Sequence, residues 1–182
     1  MAIRSVGPVV LALVLVAGPA RAEVKDAARN GFTIENSVEV AVDAATAWDA
    51  LVDDIDAWWP KDHSWWGAAS TLSIDARAGG CFCERAGRQQ ALHMTVTHVD
   101  PGKLLRMTGG LGPLQGMGFS GALEWRFAPA EGGTRITLYY RAGGYSPEDI
   151  GGFVPVIDRV QAVQLDGLAA YLRGDRGKPA GP

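Results

Sequence analysis

The feature that most limits the possible folds is a series of short segments between residues 72 and 141, followed by one long amphipathic segment. Six segments have the residue pattern of strands separated by turns: 72–77, 81–85, 91–99, 104–108, 119–127 and 134–141. Alternation of apolar and polar residues predicts strands with one buried face. Because the connections are short, successive strands are expected to pair as an antiparallel meander.

The elements before and after this series complete the predicted order. Residues 32–42 alternate cleanly and predict a first strand. Asp43 can cap a helix that Pro60 ends, and residues 64–69 favour a second short helical segment. Residues 153–172 have the apolar spacing of one long helix. We therefore predict an α+β fold in which a curved antiparallel sheet of about seven strands wraps around a long C-terminal helix, with one or two short helices after the first strand.

A cavity is expected between this sheet and its helix. A sheet with so much one-sided apolar surface must be covered, and the C-terminal helix is the obvious cover. A single helix laid across a strongly bent sheet does not fill the concave side with its own side chains. The predicted fold therefore leaves space for a small molecule.

The N-terminus has the organisation of a secretory signal peptide. Arg4 precedes an apolar run over residues 9–17, and small residues follow at Ala20 and Ala22. The run is about half of the roughly 20 residues that a membrane-spanning helix needs. Residues 1–22 are thus predicted to be removed after Ala22, with an uncleaved anchor as the alternative. The expected location is periplasmic or secreted, with no stable membrane span after cleavage.

The remainder of the chain is predicted to form one domain over residues 23–175. Residues 176–182 carry too little apolar surface to fold, which predicts a disordered tail. The 17 Lys and Arg residues are scattered among 20 Asp and Glu residues, and the net charge is −3. Because nucleic-acid binding needs clustered cations, no nucleic-acid partner is expected.

Five motifs along the domain resemble those of a known superfamily. They are Ala-Trp-Asp-Ala-Leu at 47–51, Trp-Trp-Pro at 58–60, a hairpin with Gly-Gly-Cys-Phe at 75–82, a turn at 99–104 and another at 133–137. In this order they resemble the START-like (SRPBCC, helix-grip) superfamily, closest to its Hsp90-ATPase-activator-homologue and polyketide cyclase-like groups. The resemblance implies the helix-grip fold. It leaves function open, because carriers, cyclases, hydrolases and co-chaperones share this fold.

The C-terminal helix carries two amides where apolar side chains are expected. At 100° per residue, Gln161 and Gln164 fall inside the apolar face, whereas Asp158 falls on the opposite face. A buried amide without a hydrogen bond costs about 1–3 kcal/mol. Either loop carbonyls satisfy both amides, or the amides line the cavity and orient a polar group of a ligand.

Tryptophan is concentrated near the expected mouth of the cavity. Five of the six tryptophans lie between residues 48 and 66. Trp48 has the spacing of a core residue of the first helix. Trp59, Trp65 and Trp66 follow that helix and are candidates for packing or for contact with a ligand. Trp125 lies on the sheet face that looks toward the C-terminal helix and is a further candidate.

A glycine-rich segment between two strands is the candidate gate. Six glycines lie between residues 109 and 121, and they open a strand instead of a helix, which excludes a dinucleotide fingerprint. We expect residues 110–117 to cover the cavity, with Leu111 and Leu114 in contact with its contents.

Two histidines are candidates for acid–base chemistry. His98 shares strand parity with Met94 and Val96, which predicts an inward side chain, and His63 lies in a loop near the mouth. Each can equally be a structural residue with its hydrogen bonds satisfied.

The two cysteines are separated by one residue, at Cys81 and Cys83. Residues two apart on a strand are about 6.5–7 Å apart, which is the upper limit for a disulfide. One alternative is a strained disulfide between them, and another is a Cys-x-Cys metal site completed by His93, which lacks a fourth ligand. We expect two free thiols and no bound metal or other cofactor.

These observations favour an exported protein that binds a small apolar or lipid-like molecule. The alternatives are a cyclase/aromatase-like or hydrolase-like enzyme that uses the same cavity, and a protein-interaction module with a vestigial pocket. An enzyme needs a positioned ionisable group in the cavity, and a carrier does not.

Overall fold

The computed structural model describes residues 21–147 and 149–175. The predicted tail and all but the last two residues of the predicted signal peptide lie outside the described residues. The described part contains one antiparallel sheet of eight strands, in the spatial order β1-β2-β8-β7-β6-β5-β4-β3. The strands are β1 Arg21–Ala28, β2 Gly31–Val40, β3 Thr71–Ile74, β4 Cys81–Ala86, β5 Gln89–Asp100, β6 Leu104–Gly109, β7 Phe119–Ala130 and β8 Gly133–Gly144.

Helices cover the concave face of this sheet. They are α1 Ala44–Val52, α2 Ile55–Trp58, α3 Pro113–Gly116 and α4 Val154–Leu172. Helix α4 packs mainly on β1 and β2, with α1 and α2 beside it. The predicted fold class is confirmed: this is an α+β helix-grip fold with a curved antiparallel sheet and a long C-terminal helix. Among the described residues, no helix has the length and apolar character needed to cross a membrane.

The sheet has one strand more than expected, because β1 has no alternating apolar pattern. It is an edge strand whose side chains from Glu23 onward are exposed, so its sequence need not provide a buried face. Its pairing with β2 shifts register between Val24 and Asp26.

The first predicted helix is two helices in the structure. Asp43 caps α1 as expected, its side chain accepting a hydrogen bond from the Thr46 backbone N–H. The chain then breaks at Asp53, and α2 resumes at Ile55. The break turns α2 so that Trp58 and Trp59 are both buried, with Trp58 donating its indole N–H to the Ala50 carbonyl at 2.8 Å.

Two β-bulges in β5 control which side chains face the concave side. Pairing changes from Met94 opposite Phe82 to Leu92 opposite Cys83, which leaves His93 as an extra residue. A second shift between Val96 and His98 leaves Thr97 as an extra residue. Each bulge changes the inward–outward alternation by one residue. Consequently His93 and Met94 are both buried, although they are adjacent in sequence.

Candidate functional site

A cavity of about 280 Å³ lies between the sheet, α4 and two loops. Its volume is near the lower end of the roughly 300–1,000 Å³ that small-molecule sites occupy. The lining is mostly apolar, and it comes from α4, from the segment that follows α2, from the β6–β7 loop and from β5. The lining residues are Trp59, Asp62, His63, Ser64, Trp65, His93, Leu111, Gly112, Pro113, Leu114, Phe153, Val156, Ile157, Val160, Gln161 and Gln164.

Most residues singled out from the sequence meet at this cavity. Gln161 and Gln164 lie on its helical wall, and Leu111 and Leu114 lie on its loop wall. Three more residues, Trp59, Trp65 and His63, lie along the segment after α2. Trp59 is buried and donates its indole N–H to the His63 carbonyl, whereas Trp65 is half exposed at the rim.

Three of the predicted residues lie elsewhere. Trp125 is buried in the core, where its ring centroid is 6.1 Å from that of Trp58. Trp66 follows Trp65 but does not line the cavity. The expectation that His98 points inward is wrong, because the bulge at Thr97 reverses the parity and leaves His98 exposed on the other face of the sheet.

The two amides of α4 are bonded to each other. Gln161 donates from Nε2 to Oε1 of Gln164 at 3.3 Å, and both side chains are almost fully buried. The carbonyl oxygen of Gln161 finds no hydrogen-bond partner among the described residues. The interpretation that loop carbonyls satisfy both amides is therefore wrong. The pair forms a polar patch on an otherwise apolar wall, and one of its buried acceptors has no partner among the described residues.

The β6–β7 loop is held over the cavity by the Tyr140 hydroxyl. This hydroxyl donates to the Gly109 carbonyl and accepts from the Leu111 backbone N–H at 3.2 and 3.3 Å. Burial raises the pKa of Tyr140 to about 12, so the hydroxyl keeps the proton that it donates. Gly112, the residue just before α3, has a φ of 57°, a backbone conformation that favours glycine. These contacts place Leu111 and Leu114 against the cavity.

A buried carboxylate and a histidine form the most polar part of the surroundings. Glu84 on β4 has no exposed surface, and its Oε2 lies 2.8 Å from Nε2 of His93. Its Oε1 accepts hydrogen bonds from the Ser70 hydroxyl at 2.6 Å and from the Trp65 backbone N–H at 2.8 Å. Burial by itself raises the pKa of the Glu84 carboxyl, but the hydrogen bonds from Ser70, His93 and Trp65 outweigh it and lower the pKa below its usual range.

This pair was not singled out as a site from the sequence. The sequence does contain one indication of Glu84. It shares strand parity with the buried Phe82, and a carboxylate on an apolar face needs hydrogen-bonding partners to offset its burial. The inward position of His93 could not be predicted from the sequence, because it depends on the bulge in β5.

The expectation of two free thiols is also wrong, since Cys81 and Cys83 form a disulfide. Their Cα atoms are 5.5 Å apart, closer than in a regular strand, and the β4–β5 register changes between Phe82 and Cys83. The bond removes both thiols from any metal site with His93. Within the described part of the chain, no three His, Cys, Asp or Glu side chains converge as metal ligands.

A second buried polar pair joins α4 to the sheet. Asp158 is buried, contrary to the prediction that it lies on the outer face of the helix. The helix lies across β2, where Asn36 donates from Nδ2 to Asp158 Oδ1 at 3.0 Å. Burial raises the pKa of Asp158, and the Asn36 hydrogen bond only partly opposes that shift.

Solved structures with the same fold share little sequence with this chain. Ara h 8.0201 is 15% identical with a TM-score of 0.58, and the match covers 79% of this chain and 99% of that one. CalU16 from Micromonospora echinospora is 13% identical with a TM-score of 0.58, over 87% and 88% of the two chains. The Aha1 protein from Colwellia psychrerythraea, solved as a dimer, is 16% identical with a TM-score of 0.56, over 80% and 98%.

None of the curated protein sequences matches the chain. A family model described as polyketide cyclase / dehydrase and lipid transport matches residues 31–173. Because this match spans most of the chain, from β2 to the end of α4, the protein belongs to that family.

Proposed function

We propose that the protein is an exported carrier that binds a small, mostly apolar molecule in the cavity between the sheet and α4. The observation that carries this proposal is the cavity wall itself, which is apolar except for a few grouped polar side chains. The Gln161 carbonyl is buried there without a partner among the described residues, as expected of a group that meets a ligand. The family description, which includes lipid transport, supports an apolar ligand.

Binding can be tested with the apolar fluorophore N-phenyl-1-naphthylamine. It should bind saturably at one site per chain and quench tryptophan emission, because Trp59 and Trp65 line the cavity. Val160→Trp places an indole inside the cavity and should weaken binding at least about tenfold. Arg159→Trp is the matched control, since it adds the same group at an exposed position of the same helix. Absence of saturable binding by the parent protein would contradict the proposal and favour an interaction module.

The anchoring role of the amides needs a double substitution. In Gln164→Leu alone, Nε2 of the Gln161 amide loses Oε1 of Gln164 as its hydrogen-bond acceptor, so stability and binding change together. The double variant Gln161→Leu with Gln164→Leu removes both partners and should leave the free energy of unfolding unchanged or raise it by about 1 kcal/mol. Affinity for 1-decanol should fall relative to affinity for N-phenyl-1-naphthylamine. An equal change for both molecules would rule out the amides as anchors.

Export is tested independently of binding. Protein recovered from the cell envelope should begin at Glu23 on N-terminal sequencing, because Ala20 and Ala22 provide the small residues that a signal peptidase reads. Intact Met1 in that material would contradict cleavage.

The enzyme alternative loses one of its two candidates, since His98 is exposed outside the cavity. His63 remains, as a residue that lines the cavity.

A further inference from the structure

We propose that the Glu84–His93 pair is a proton-accepting site in the cavity wall, and that it takes the proton of a weakly acidic hydroxyl, such as a phenol, on the bound molecule. This inference rests on the proposed ligand-binding function and specifies the chemistry of the ligand. Neither the sequence prediction nor the family description assigns a joint role to these two residues.

The hydrogen bonds around His93 determine which of its nitrogens can meet a ligand. Nε2 lies 2.8 Å from Glu84 Oε2, and a carboxylate only accepts, so Nε2 carries the hydrogen. In the neutral ring the other nitrogen, Nδ1, is then an acceptor. No hydrogen bond joins Nδ1 to another described residue, and His93 lines the cavity. The ring therefore offers a lone pair to the contents of the cavity.

The position of this ring is fixed from several sides. Its centroid lies 5.1 Å from that of Phe82, which in turn lies 5.2 Å from the ring of Trp59. Glu84 holds the ring at Nε2 and also binds Ser70 and the Trp65 backbone. One carboxylate thus fixes both the histidine and the segment that forms the rim of the cavity. The bulge in β5 places the His93 ring against the buried Glu84 carboxylate. Bulges that redirect a side chain in this way are common next to functional sites.

The other polar groups of the cavity also favour a ligand that donates a hydrogen bond. The unpartnered atom on α4 is the Gln161 carbonyl oxygen, which only accepts. His63 has a buried Nδ1 without a partner among the described residues, on the same lining as His93. No Lys or Arg is among the residues that line the cavity, so a ligand that enters as an anion finds no fixed cation there. A neutral hydroxyl matches this set better than a carboxylate.

The proposed step is a balanced proton transfer. The ligand O–H bond breaks, its electron pair stays on the ligand oxygen, and the proton forms an N–H bond at His93 Nδ1. The imidazolium then lies between the Glu84 carboxylate and the new ligand anion, so it interacts favourably with a negative charge on each side. The lowered pKa of Glu84 keeps that carboxylate ionised at neutral pH, which the step requires.

Few other ionisable groups face the pair. The segment after α2 contributes His63 and Asp62, of which Asp62 is exposed at the rim. Helix α4 contributes only the neutral amides Gln161 and Gln164, and the residues of the β6–β7 loop that line the cavity are not ionisable. His63 is therefore the one rival proton acceptor among the described lining residues.

The test uses 4-nitrophenol, whose neutral and anionic forms absorb differently, with 4-nitroanisole as a ligand that has no proton to give. Bound 4-nitrophenol should be shifted toward its anion by about tenfold relative to the free probe at the same pH. Glu84→Gln and His93→Asn should abolish this shift, whereas 4-nitroanisole should still bind. His98→Asn is the matched control, because it removes an exposed imidazole from the same strand.

A measurement on the unsubstituted protein covers the case in which these variants do not fold. The chain has three histidines, so ¹⁵N-histidine spectra can be assigned with His98→Asn and His63→Asn. Adding 4-nitrophenol should move one histidine toward the imidazolium form, and that histidine should be His93. Protonation of His63, or bound 4-nitrophenol that stays neutral, would overturn the proposal. If 4-nitroanisole and N-phenyl-1-naphthylamine both fail to bind, the carrier function fails as well, which separates the two outcomes.

Discussion

Two buried carboxyl groups under one sheet have pKa values that shift in opposite directions, because their surroundings differ. Glu84, beside the cavity, is surrounded by donors from Ser70, His93 and Trp65, and its pKa is lowered. Asp158, where α4 crosses β2, accepts a hydrogen bond from Asn36, and its pKa is raised. Burial raises both pKa values, and the number of hydrogen bonds to each carboxylate decides whether the pKa ends below or above its usual range.

Glu84 holds several segments of a site together, whereas Asp158 is a buried charge with few compensating hydrogen bonds. Glu84 connects three segments of chain, so its loss leaves several donors buried without an acceptor. Asp158 connects two, and its partner Asn36 keeps a carbonyl oxygen with no hydrogen-bond partner among the described residues. We therefore expect substitutions at the two sites to have opposite signs.

The largest effect is expected for Glu84→Leu. The substitution leaves the Ser70 hydroxyl, the His93 N–H and the Trp65 backbone N–H without their acceptor, and should lower the free energy of unfolding by about 3–5 kcal/mol. Glu39→Leu is the control, because it removes a carboxylate whose ion pair with Arg135 is exposed and worth less than about 1 kcal/mol. Denaturant melts of the two variants measure the difference. Equal losses would show that Glu84 does not organise its surroundings.

The pH dependence gives the sign at Glu84 separately. Because its folded pKa is lowered, its contribution to stability is complete above the unfolded pKa and is lost as the pH falls through the folded value. The stability difference between wild type and Glu84→Gln should therefore be constant near neutral pH and shrink below about pH 4. A difference that grows on acidification would contradict a lowered pKa.

Removal of the disulfide next to Glu84 should have a smaller effect. Replacing Cys81 and Cys83 with Ser should lower the free energy of unfolding by about 1–2 kcal/mol, since the closed loop is very short. Chemical reduction of the wild type should cause a similar loss. Thiol titration of the oxidised, denatured protein should detect no free thiol, and detection of two would contradict the bond.

The smallest expected effect is a gain, in Asp158→Asn. The new amide can donate to the Asn36 carbonyl and removes a buried charge, which should raise the free energy of unfolding at pH 7 by about 1 kcal/mol. Because the folded pKa of Asp158 is raised, this gain should disappear as the pH falls through that value and the carboxyl becomes neutral. Asp49→Asn, at an exposed position of α1, should change little. Destabilisation by Asp158→Asn would remove the contrast with Glu84.

Local patterns were sufficient for most of the secondary structure. Strands β2–β8 follow from alternation and turn residues, and the Asp43 cap and the long helix follow from local sequence. Strand β1 could not be predicted in this way, because an exposed edge strand has no apolar face. The break between α1 and α2 was missed as well, since it depends on how α2 packs against α4 and β3.

Only part of the candidate site could be predicted from the sequence. Gln161 and Gln164 could be found because an amide on an apolar helical face is visible in the sequence. Their mutual hydrogen bond and the position of His93 could not, because both depend on atoms that only the folded chain brings together.

Apart from the edge strand β1 and the break between α1 and α2, the sequence by itself determined the order of elements, the helix-grip architecture and the existence of a cavity, since periodicity and turn chemistry act over a few residues. The tertiary structure decided which side chains face that cavity. Two bulges in β5, each a single extra residue, turn His93 toward the cavity and His98 away from it. The inward His93 can then bond to Glu84. Such a shift costs little locally and is selected by partners distant in sequence, so no local pattern records it.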